Sequence, residues 1–502
     1  MAGAAIAPAD LSAVSASSNG SLALPFFLEP ERDAWVFKGL LALLFWAPLP
    51  LGSNRTWAVG VLLVWVSLLL AGTAFAWRGH GEQAFARLRR FRLPLILLAA
   101  MTLLALLQTL ALPVALVSAL SPEAANVQQG MAQMYLSLDV YQSRRMAALC
   151  FVYLGAFLLT VLAVRSAGRQ ERLARLLVWS GVFQAVLGAV LFSFGARYRI
   201  FYFDIAHTRV IGSFVYHNSA AGYLVMCLSM GIGLMLGRLG GGTGFAGWRH
   251  RLSAALTFML SGKMRLRLML VIMVVALVLT RSRMGNASFL VALLVVGAMT
   301  IFLARRMAPA TIVLIASLLI IDIVIIGGWV GIEKVVQRLE NTELTEAAGG
   351  REESVEARTE AGRLAIGVVE DFPWLGTGGG SFYSSFMRYR TPRLGYLDHT
   401  HNDYVEVAAD FGLIGLALLG GLVVASLWTA LRVLARRRSY LPRGIAFGAA
   451  MAMVALAIHS AVDFNLQIPA NALTMVVILA MAWISDRLPS QNPSHGGRRL
   501  TA

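Results

Sequence analysis

The chain has 502 residues, of which 58% are apolar and only 14% are charged, and its mean hydropathy is +0.70. A water-soluble domain needs far more charge on its surface, so this composition excludes a soluble globular protein and indicates a protein of the lipid bilayer. The net charge of +17 would suit a nucleic-acid partner, but the basic residues concentrate in alternate loops between apolar runs. That distribution indicates membrane topology instead.

The first segment, residues 1–35, has no basic stretch ahead of an apolar one, so we interpret it as a disordered cytoplasmic tail rather than a cleaved signal peptide. A helix that crosses the bilayer needs roughly 20 apolar residues, and about twelve runs of that kind follow. They lie near 37–52, 56–77, 94–118, 146–165, 172–195, 218–236, 266–281, 286–304, 309–329, 412–434, 445–463 and 468–485. Cys150 and Cys227 fall inside such runs, where a thiol behaves as a small hydrophobe.

The predicted fold class is therefore an all-α polytopic membrane protein. Residues 36–329 hold transmembrane helices one to nine, 330–411 form a large outer loop, 412–486 hold helices ten to twelve, and 487–502 form a cytoplasmic tail. Every second loop is basic: 78–92, 165–175, 238–267, 305–306 and 436–443. By the positive-inside rule both termini lie in the cytoplasm of a bacterial inner membrane, and the remaining loops face the periplasm.

Some arginines lie in the outer loops, against the positive-inside rule, so a local interaction must account for each of them. Arg209 lies in the outer loop 196–217, where it either binds an anion or snorkels near a helix end. Arg281 and Arg283 lie in a tight outer turn close to the hydrocarbon, where an unpaired guanidinium costs a few kcal/mol. The turn therefore marks a polar cavity. Residues two apart in sequence point to different faces, so only one of Arg281 and Arg283 is expected to line this cavity.

The large outer loop contains two recognisable segments. From Ser354 to Asp371, apolar residues recur at helical spacing until Pro373, which predicts an amphipathic helix on the membrane face or over the site. The cluster Gly376-Thr377-Gly378-Gly379-Gly380 follows. It either presents backbone N–H groups to a phosphate or forms a tight turn that lets two backbones approach, and the missing Lys-Ser/Thr of a P-loop favours the turn.

The strongest local pattern is Asp398-His399-Thr400-His401-Asn402-Asp403-Tyr404 at the start of span ten. Histidines and aspartates this dense, just outside the bilayer, favour proton transfer. A His-x-His metal site, completed by His207 or His217, is an alternative, and ordinary interfacial polar residues are another.

Here the sequence resembles a known family. His401-Asn402, nine further residues and then Gly412-Leu413-Ile414-Gly415 resemble the His-Asn motif of the O-antigen ligase superfamily, which comprises bacterial membrane glycosyltransferases. Three other segments are similar to family motifs: Arg209-Val210-Ile211-Gly212-Ser213-Phe214 with Asn218, the Ser282-Arg283 turn, and Pro373-Trp374-Leu375-Gly376-Thr377-Gly378. Members often carry Asn-Pro-Asn where this chain has Tyr216-His217-Asn218, and Gly where it has Met284, so the role of His217 and the choice between Arg281 and Arg283 stay open.

The resemblance implies a metal-independent, inverting transfer of a glycan from undecaprenyl diphosphate to an acceptor hydroxyl, with no cofactor. In this scheme Arg209 and Arg283, or Arg281, bind the diphosphate and His401 accepts the proton, while Asn402 or Asp403 orients its ring and Asn218 supports the site. The acceptor, a glycan or a lipid core, distinguishes polymerase from ligase, and the additional outer segment 119–145 favours a polymerase. A transporter or flippase of lipid-linked glycans and a membrane scaffold remain alternatives, although no internal repeat supports the former.

Overall fold

The computed structural model describes residues 33–194, 197–200, 203–206, 209–239, 262–304, 312, 316, 355–391, 394 and 398–488. Within these residues the regular secondary structure consists of α-helices, one antiparallel hairpin and two 3₁₀ turns, Leu51–Ser53 and Asn465–Gln467. The helices, in chain order, are α1 Ala34–Trp46, α2 Thr56–Ala76, α3 Gly81–Arg89, α4 Arg92–Leu107, α5 Val114–Leu120, α6 Pro122–Val127, α7 Val140–Ala163, α8 Ala167–Ser193, α9 His217–Leu239, α10 Gly262–Leu279, α11 Arg283–Leu303, α12 Val355–Asp371, α13 Phe382–Phe386, α14 Asp403–Arg436, α15 Tyr440–Ser460 and α16 Pro469–Arg487.

Among the described helices, eight are long and apolar enough to cross a membrane: α2, α7, α8, α9, α11, α14, α15 and α16. The pair α3 and α4 makes a ninth if counted as one span, although it bends by 91°. Helix α1 has only 13 residues, and α10 carries three basic residues near its start. The predicted span at 309–329 lies outside the described residues. A multi-pass helical membrane protein is confirmed, whereas the predicted count of twelve is not.

The hairpin is the one departure from the all-α prediction in the described chain. Strand β1, Arg197–Ile200, pairs antiparallel with β2, Phe203–Ala206, in the outer loop where no secondary structure was predicted. Aromatic and β-branched residues favour strands, and the loop is rich in both. Hydropathy reports only how apolar a segment is, so it could not reveal a hairpin this short.

Helices α9, α15 and α16 form the centre of the bundle, since α9 and α16 are each 94% buried over their apolar windows and α15 is 78% buried. Helices α9 and α15 meet backbone to backbone. Gly233 of α9 lies against Gly444 and Gly448 of α15, and a Cβ at Gly448 would stand 2.7 Å from Ser229 O. Small residues allow this close approach. In a bilayer the hydrophobic effect does not drive helices together, so close van der Waals packing of this kind stabilises their association.

The two ends of the bundle differ in chemistry. At one end, which we call the arginine end, buried or half-buried ion pairs join helix termini: Arg165 and Arg169 with Asp33, Arg238 with Glu171, and Arg432 with Asp486. At the other, the motif end, Val210 N donates to Leu279 O at 3.2 Å, and Asn471 Nδ2 donates to Ser219 O at 3.0 Å. The described residues of the loops predicted to be cytoplasmic thus gather at one end, and the sequence motifs gather at the other.

A small cap covers part of the motif end. It consists of α5, α6, α12 and α13, and its core joins Ala361, Ala365 and Val368 of α12 to Val117 and Leu136. The amphipathic helix predicted for 354–371 is confirmed as α12, whose apolar stripe faces this core. The predicted extra outer segment, 119–145, supplies the other side of the cap together with the start of α7.

Candidate active site

The Arg209–Phe214 segment is fixed to three other parts of the bundle. Ser213 donates from its backbone N to Gln184 Oε1 at 2.9 Å and from Oγ to Pro48 O at 2.6 Å. Phe214 is buried against Tyr223, with ring centroids 5.3 Å apart. Ser213 and Phe214 therefore anchor the loop that Arg209 begins.

Arg209 contacts a histidine that the family motif does not contain. Its Nη1 lies 2.7 Å from His217 Nε2. A guanidinium can only donate, so Nε2 accepts this hydrogen bond and the proton of a neutral His217 lies on Nδ1. His217 therefore orients Arg209. The Nδ2 of the buried Asn218 donates to Tyr216 Oη at 3.2 Å, which fixes the ring that separates His217 from His401.

The Ser-Arg turn lies beside this loop, because Val210 N donates to Leu279 O at the end of α10. Ser282 caps α11 by accepting from Gly285 N at 3.1 Å, and Asn286 Nδ2 donates to Ser282 O at 2.7 Å. Arg281 and Arg283 both have exposed side chains. The structure thus brings the backbone of both arginines close to that of Arg209, without selecting one of them by burial.

His401 lies immediately before α14 and belongs to an aromatic cluster. Its ring stands 6.3 Å from that of Tyr216 and 5.0 Å edge-on from that of Phe464, and Tyr216 stacks on Phe464 at 5.4 Å. Since Tyr216 also contacts His217 at 4.8 Å, the cluster connects the Arg209 side of the motif end to His401. The side chain of His401 is only 12% exposed.

Asp463 was not predicted as a site residue, and its carboxylate faces His401. Asp463 Oδ1 lies 3.9 Å from His401 Nδ1, and Oδ2 lies 3.9 Å from Nε2 of the buried His459. The sequence contains a signal for it, because an acidic residue at the end of an apolar span is costly and usually functional. The predicted span 445–463 includes Asp463 as its last residue, so the prediction places this residue in the span rather than in the outer loop.

The two residues predicted to orient His401 have other contacts. Asn402 Oδ1 caps α14 by accepting from Tyr404 N at 3.0 Å and Val405 N at 3.2 Å. Asp403 Oδ2 accepts from Ser460 Oγ at 2.6 Å and from Leu466 N at 3.0 Å. Asp403 thereby holds the segment that carries Asp463, so its contribution to the imidazole is indirect.

The glycine cluster braces the start of α14. Its backbone N–H groups have protein acceptors: Gly376 donates to Phe372 O, Thr377 to Ala409 O, Gly378 to Asp410 O, Gly379 to Gln108 Oε1 and Gly380 to Asp410 Oδ2. These groups are therefore not presented to a phosphate, and the tight-turn interpretation is confirmed. The brace lies against a break in α14 at Gly412, whose φ is 66° and ψ −175°.

Left-handed backbone is concentrated at the motif end. In the part of the chain that the structure describes, four non-glycine residues have φ between 54° and 59°: Leu51, Ser53, Arg281 and His401. Gly52, between the first two, packs against Phe214 and Ile468. Such conformations are uncommon for non-glycine residues and accumulate at functional sites. Two of the four are predicted site residues, which strengthens the assignment of a site here.

Among the described residues, no three His, Cys, Asp or Glu side chains converge as a metal site requires. His207, one of the ligands considered for the His-x-His alternative, lies outside the described residues.

A bundle of apolar helices with arginine, histidine and aspartate gathered at one end defines a multi-pass membrane protein with a polar site at one end of its bundle. Residues 268–420 match the family model described as O-Antigen ligase, and the resemblance to the O-antigen ligase superfamily is thereby confirmed. The match supports a membrane glycosyltransferase of the general ligase or polymerase type, and the family implies a lipid-linked glycan at the bilayer. No curated protein matches the chain.

Proposed function

We propose that the protein transfers a glycan from an undecaprenyl-diphosphate donor to an acceptor hydroxyl of a second glycan or lipid core. The motif end faces the periplasm, the arginine end and both termini lie in the cytoplasm, and the membrane is the bacterial inner membrane. The observation that carries the proposal is the contact series from Arg209 through His217 and Tyr216 to His401, with Asp463 behind the imidazole.

Each group has a role in a single displacement. The acceptor oxygen attacks C1 of the donor sugar, the C1–O bond to the diphosphate breaks, and the electron pair leaves with the diphosphate. Arg209, with Arg283 or Arg281, stabilises the charge that grows on this leaving group through charge-assisted hydrogen bonds. One attack opposite the leaving group inverts the anomeric carbon, and no metal enters the scheme.

His401 takes the proton of the acceptor hydroxyl. Its Nδ1 faces Asp463 at 3.9 Å, an electrostatic contact longer than a hydrogen bond. The carboxylate favours the tautomer with the proton on Nδ1 and stabilises the imidazolium that forms. Nε2 is then the nitrogen that receives the proton, and Asp463 does not itself take it up.

Donor consumption by the purified protein in detergent tests this function, since a carrier has no gradient there and would leave the donor intact. His401→Ala should retain donor binding and lose turnover on the order of 10²–10⁴-fold, the usual contribution of a positioned base. Arg209→Ala and Arg283→Ala should weaken donor binding, whereas the exposed Arg363→Ala on α12 is the matched control and should leave it unchanged. Full turnover by His401→Ala would overturn the mechanism.

The acceptor decides between polymerase and ligase. Both use the same chemistry at C1, so the motif end does not separate them. A competition assay separates them, in which a second lipid-linked glycan and a lipid core are offered as acceptors. A polymerase extends the lipid-linked glycan, whereas a ligase consumes the lipid core.

A further inference from the structure

The loop before α14 holds His401 in a backbone conformation that a histidine rarely adopts, with φ at 54°. One side chain organises the loop. Glu406, which is 2% exposed, accepts from Thr400 N through Oε2 at 2.9 Å, while its Oε1 lies 2.6 Å from His399 Nδ1. A buried carboxylate in the first turn of the helix therefore reaches back and fixes the two residues that precede His401.

The ring of His399 completes the support on the other side. It stacks on Phe464, with centroids 4.3 Å apart and planes inclined by 22°. The same Phe464 ring meets His401 edge-on at 5.0 Å. Glu406, His399 and Phe464 thus form a continuous wall against which the His401 imidazole rests.

The charge state of His399 follows from its surroundings. Burial lowers the pKa of His399, but the charge and hydrogen bond of Glu406 raise it by more, and Asp398 and Asp403 add to that rise, so its pKa is raised overall. From the segment after α15, Phe464 faces His399 and the Asp463 carboxylate faces His401.

We propose that Glu406 and His399 are a positioning pair that sets the backbone and ring of His401 for proton transfer. The inference rests on the proposed function only where the rate of transfer is measured. Because the contacts of the pair lie with Thr400 and Phe464 around His401, its loss should lower the rate of transfer and leave donor affinity intact.

The pair also has a defined pH dependence. The pKa of His399 is raised in the folded protein, so the ionic attraction is complete below the ordinary histidine pKa near 6.5 and is lost as pH rises through the raised value. Transfer should therefore decline on the alkaline side. Glu406→Gln removes the ionic partner itself, so this alkaline decline should be absent in the variant.

The test combines kinetics with chemical labelling of the full-length protein in detergent. Glu406→Gln should lower kcat by about tenfold or more, up to the roughly 10²–10⁴-fold that a positioned general base contributes, with donor affinity unchanged. Diethylpyrocarbonate labelling of His401, read by tandem mass spectrometry, should become several times faster than in the wild type. The exposed Glu370→Gln on α12 makes the same chemical change away from the loop and should match the wild type in both readouts.

Wild-type kcat together with a wild-type labelling rate in Glu406→Gln would overturn the positioning role. If Glu406→Gln does not fold, His399→Gln carries the same test, because the His399 side chain is 25% exposed and its loss leaves the Thr400 contact in place. A wild-type protein that consumes no donor would instead overturn the proposed function, and the labelling rates would still decide whether Glu406 positions His401.

Discussion

Asp463 lies between two imidazoles, with His401 on one side and the buried His459 on the other, each at 3.9 Å. Neither ring nitrogen of His459 has a hydrogen-bond partner among the described residues. His459 therefore packs beside the carboxylate at 3.9 Å without a hydrogen bond to it. His401 is the more accessible of the two, with its side chain 12% exposed against 1% for His459, and it lies among the family motifs.

Asp463→Asn should keep the shape of the site and remove the charge that stabilises imidazolium. We expect kcat to fall on the order of 10²-fold or more, with donor affinity retained. Asp486→Asn at the arginine end is the matched substitution and should retain transfer. Rates of transfer and donor affinity measured on both variants check this expectation, and a wild-type kcat in Asp463→Asn would contradict it.

His217→Ala should affect binding rather than chemistry. The variant removes the acceptor that holds Arg209 Nη1, and a hydrogen bond to a charged group contributes about 1.5–3 kcal/mol. Donor affinity should therefore fall by roughly 10- to 100-fold with kcat largely retained. Titration with a defined lipid-linked donor gives the affinity, and a loss confined to kcat would show that His217 acts in the proton transfer instead.

At the scale of elements, α14 shows how a site is built from a broken helix. Its first part, Asp403–Phe411, is buried and carries three acids, whereas the part beyond Gly412 is apolar and faces lipid more openly. At the break, Leu413 N donates to Pro373 O at 2.7 Å, and Asp410 accepts from Gly380 N at 2.7 Å. The glycine brace therefore holds the polar part of the helix at a fixed angle to the span.

Gly412→Ala should destabilise the protein. A φ of 66° with ψ of −175° is a region open essentially only to glycine, where another residue costs roughly 1–3 kcal/mol, and a Cβ would also collide with the Trp374 carbonyl. Gly420→Ala, later in the same helix, meets no atom within 4 Å and should be neutral or slightly stabilising. Thermal unfolding in detergent compares the two variants, and equal melting temperatures would contradict the strain argument.

Hydropathy located most of these elements because burial of apolar residues in lipid is a property of the segment itself. Hydropathy could not reveal features that depend on contacts between distant segments. The predicted start of span ten, 412, coincides with the break at Gly412, because hydropathy detects only the lipid-facing part and α14 already begins at Asp403. Similarly, the motifs indicated Arg209 and His401, whereas Asp463, Glu406 and Gln108 acquire their roles only through contacts with distant segments.

On the scale of the whole molecule, charge separates the two ends. The arginine end contains the ion pairs of Arg165, Arg238 and Arg432, and the motif end carries the cap and the site. Positive charge is retained on the cytoplasmic side of membrane proteins, so this polarity predicts the orientation of the bundle.

A membrane-impermeant maleimide checks that orientation on spheroplasts. Cys150 and Cys227 are buried and should not react, so they serve as an internal background. A Glu370→Cys variant on α12 should be labelled from outside, and an Arg438→Cys variant after α14 should react only once the membrane is permeabilised. The reverse pattern would place the site in the cytoplasm and contradict the proposed periplasmic reaction.

The contact of Gly233 with Gly444 and Gly448 bears on how substrates are distinguished. Helix α9 begins just after the Arg209 loop, and α15 ends just before Asp463, so the spacing of this helix pair sets how far apart these two parts of the motif end lie. With only backbone between the two helices at their contact, no exchange of side chains there can widen or narrow the gap by small steps. We therefore expect differences in the size of the accepted glycan to arise from the cap and the connecting loops rather than from this helix contact.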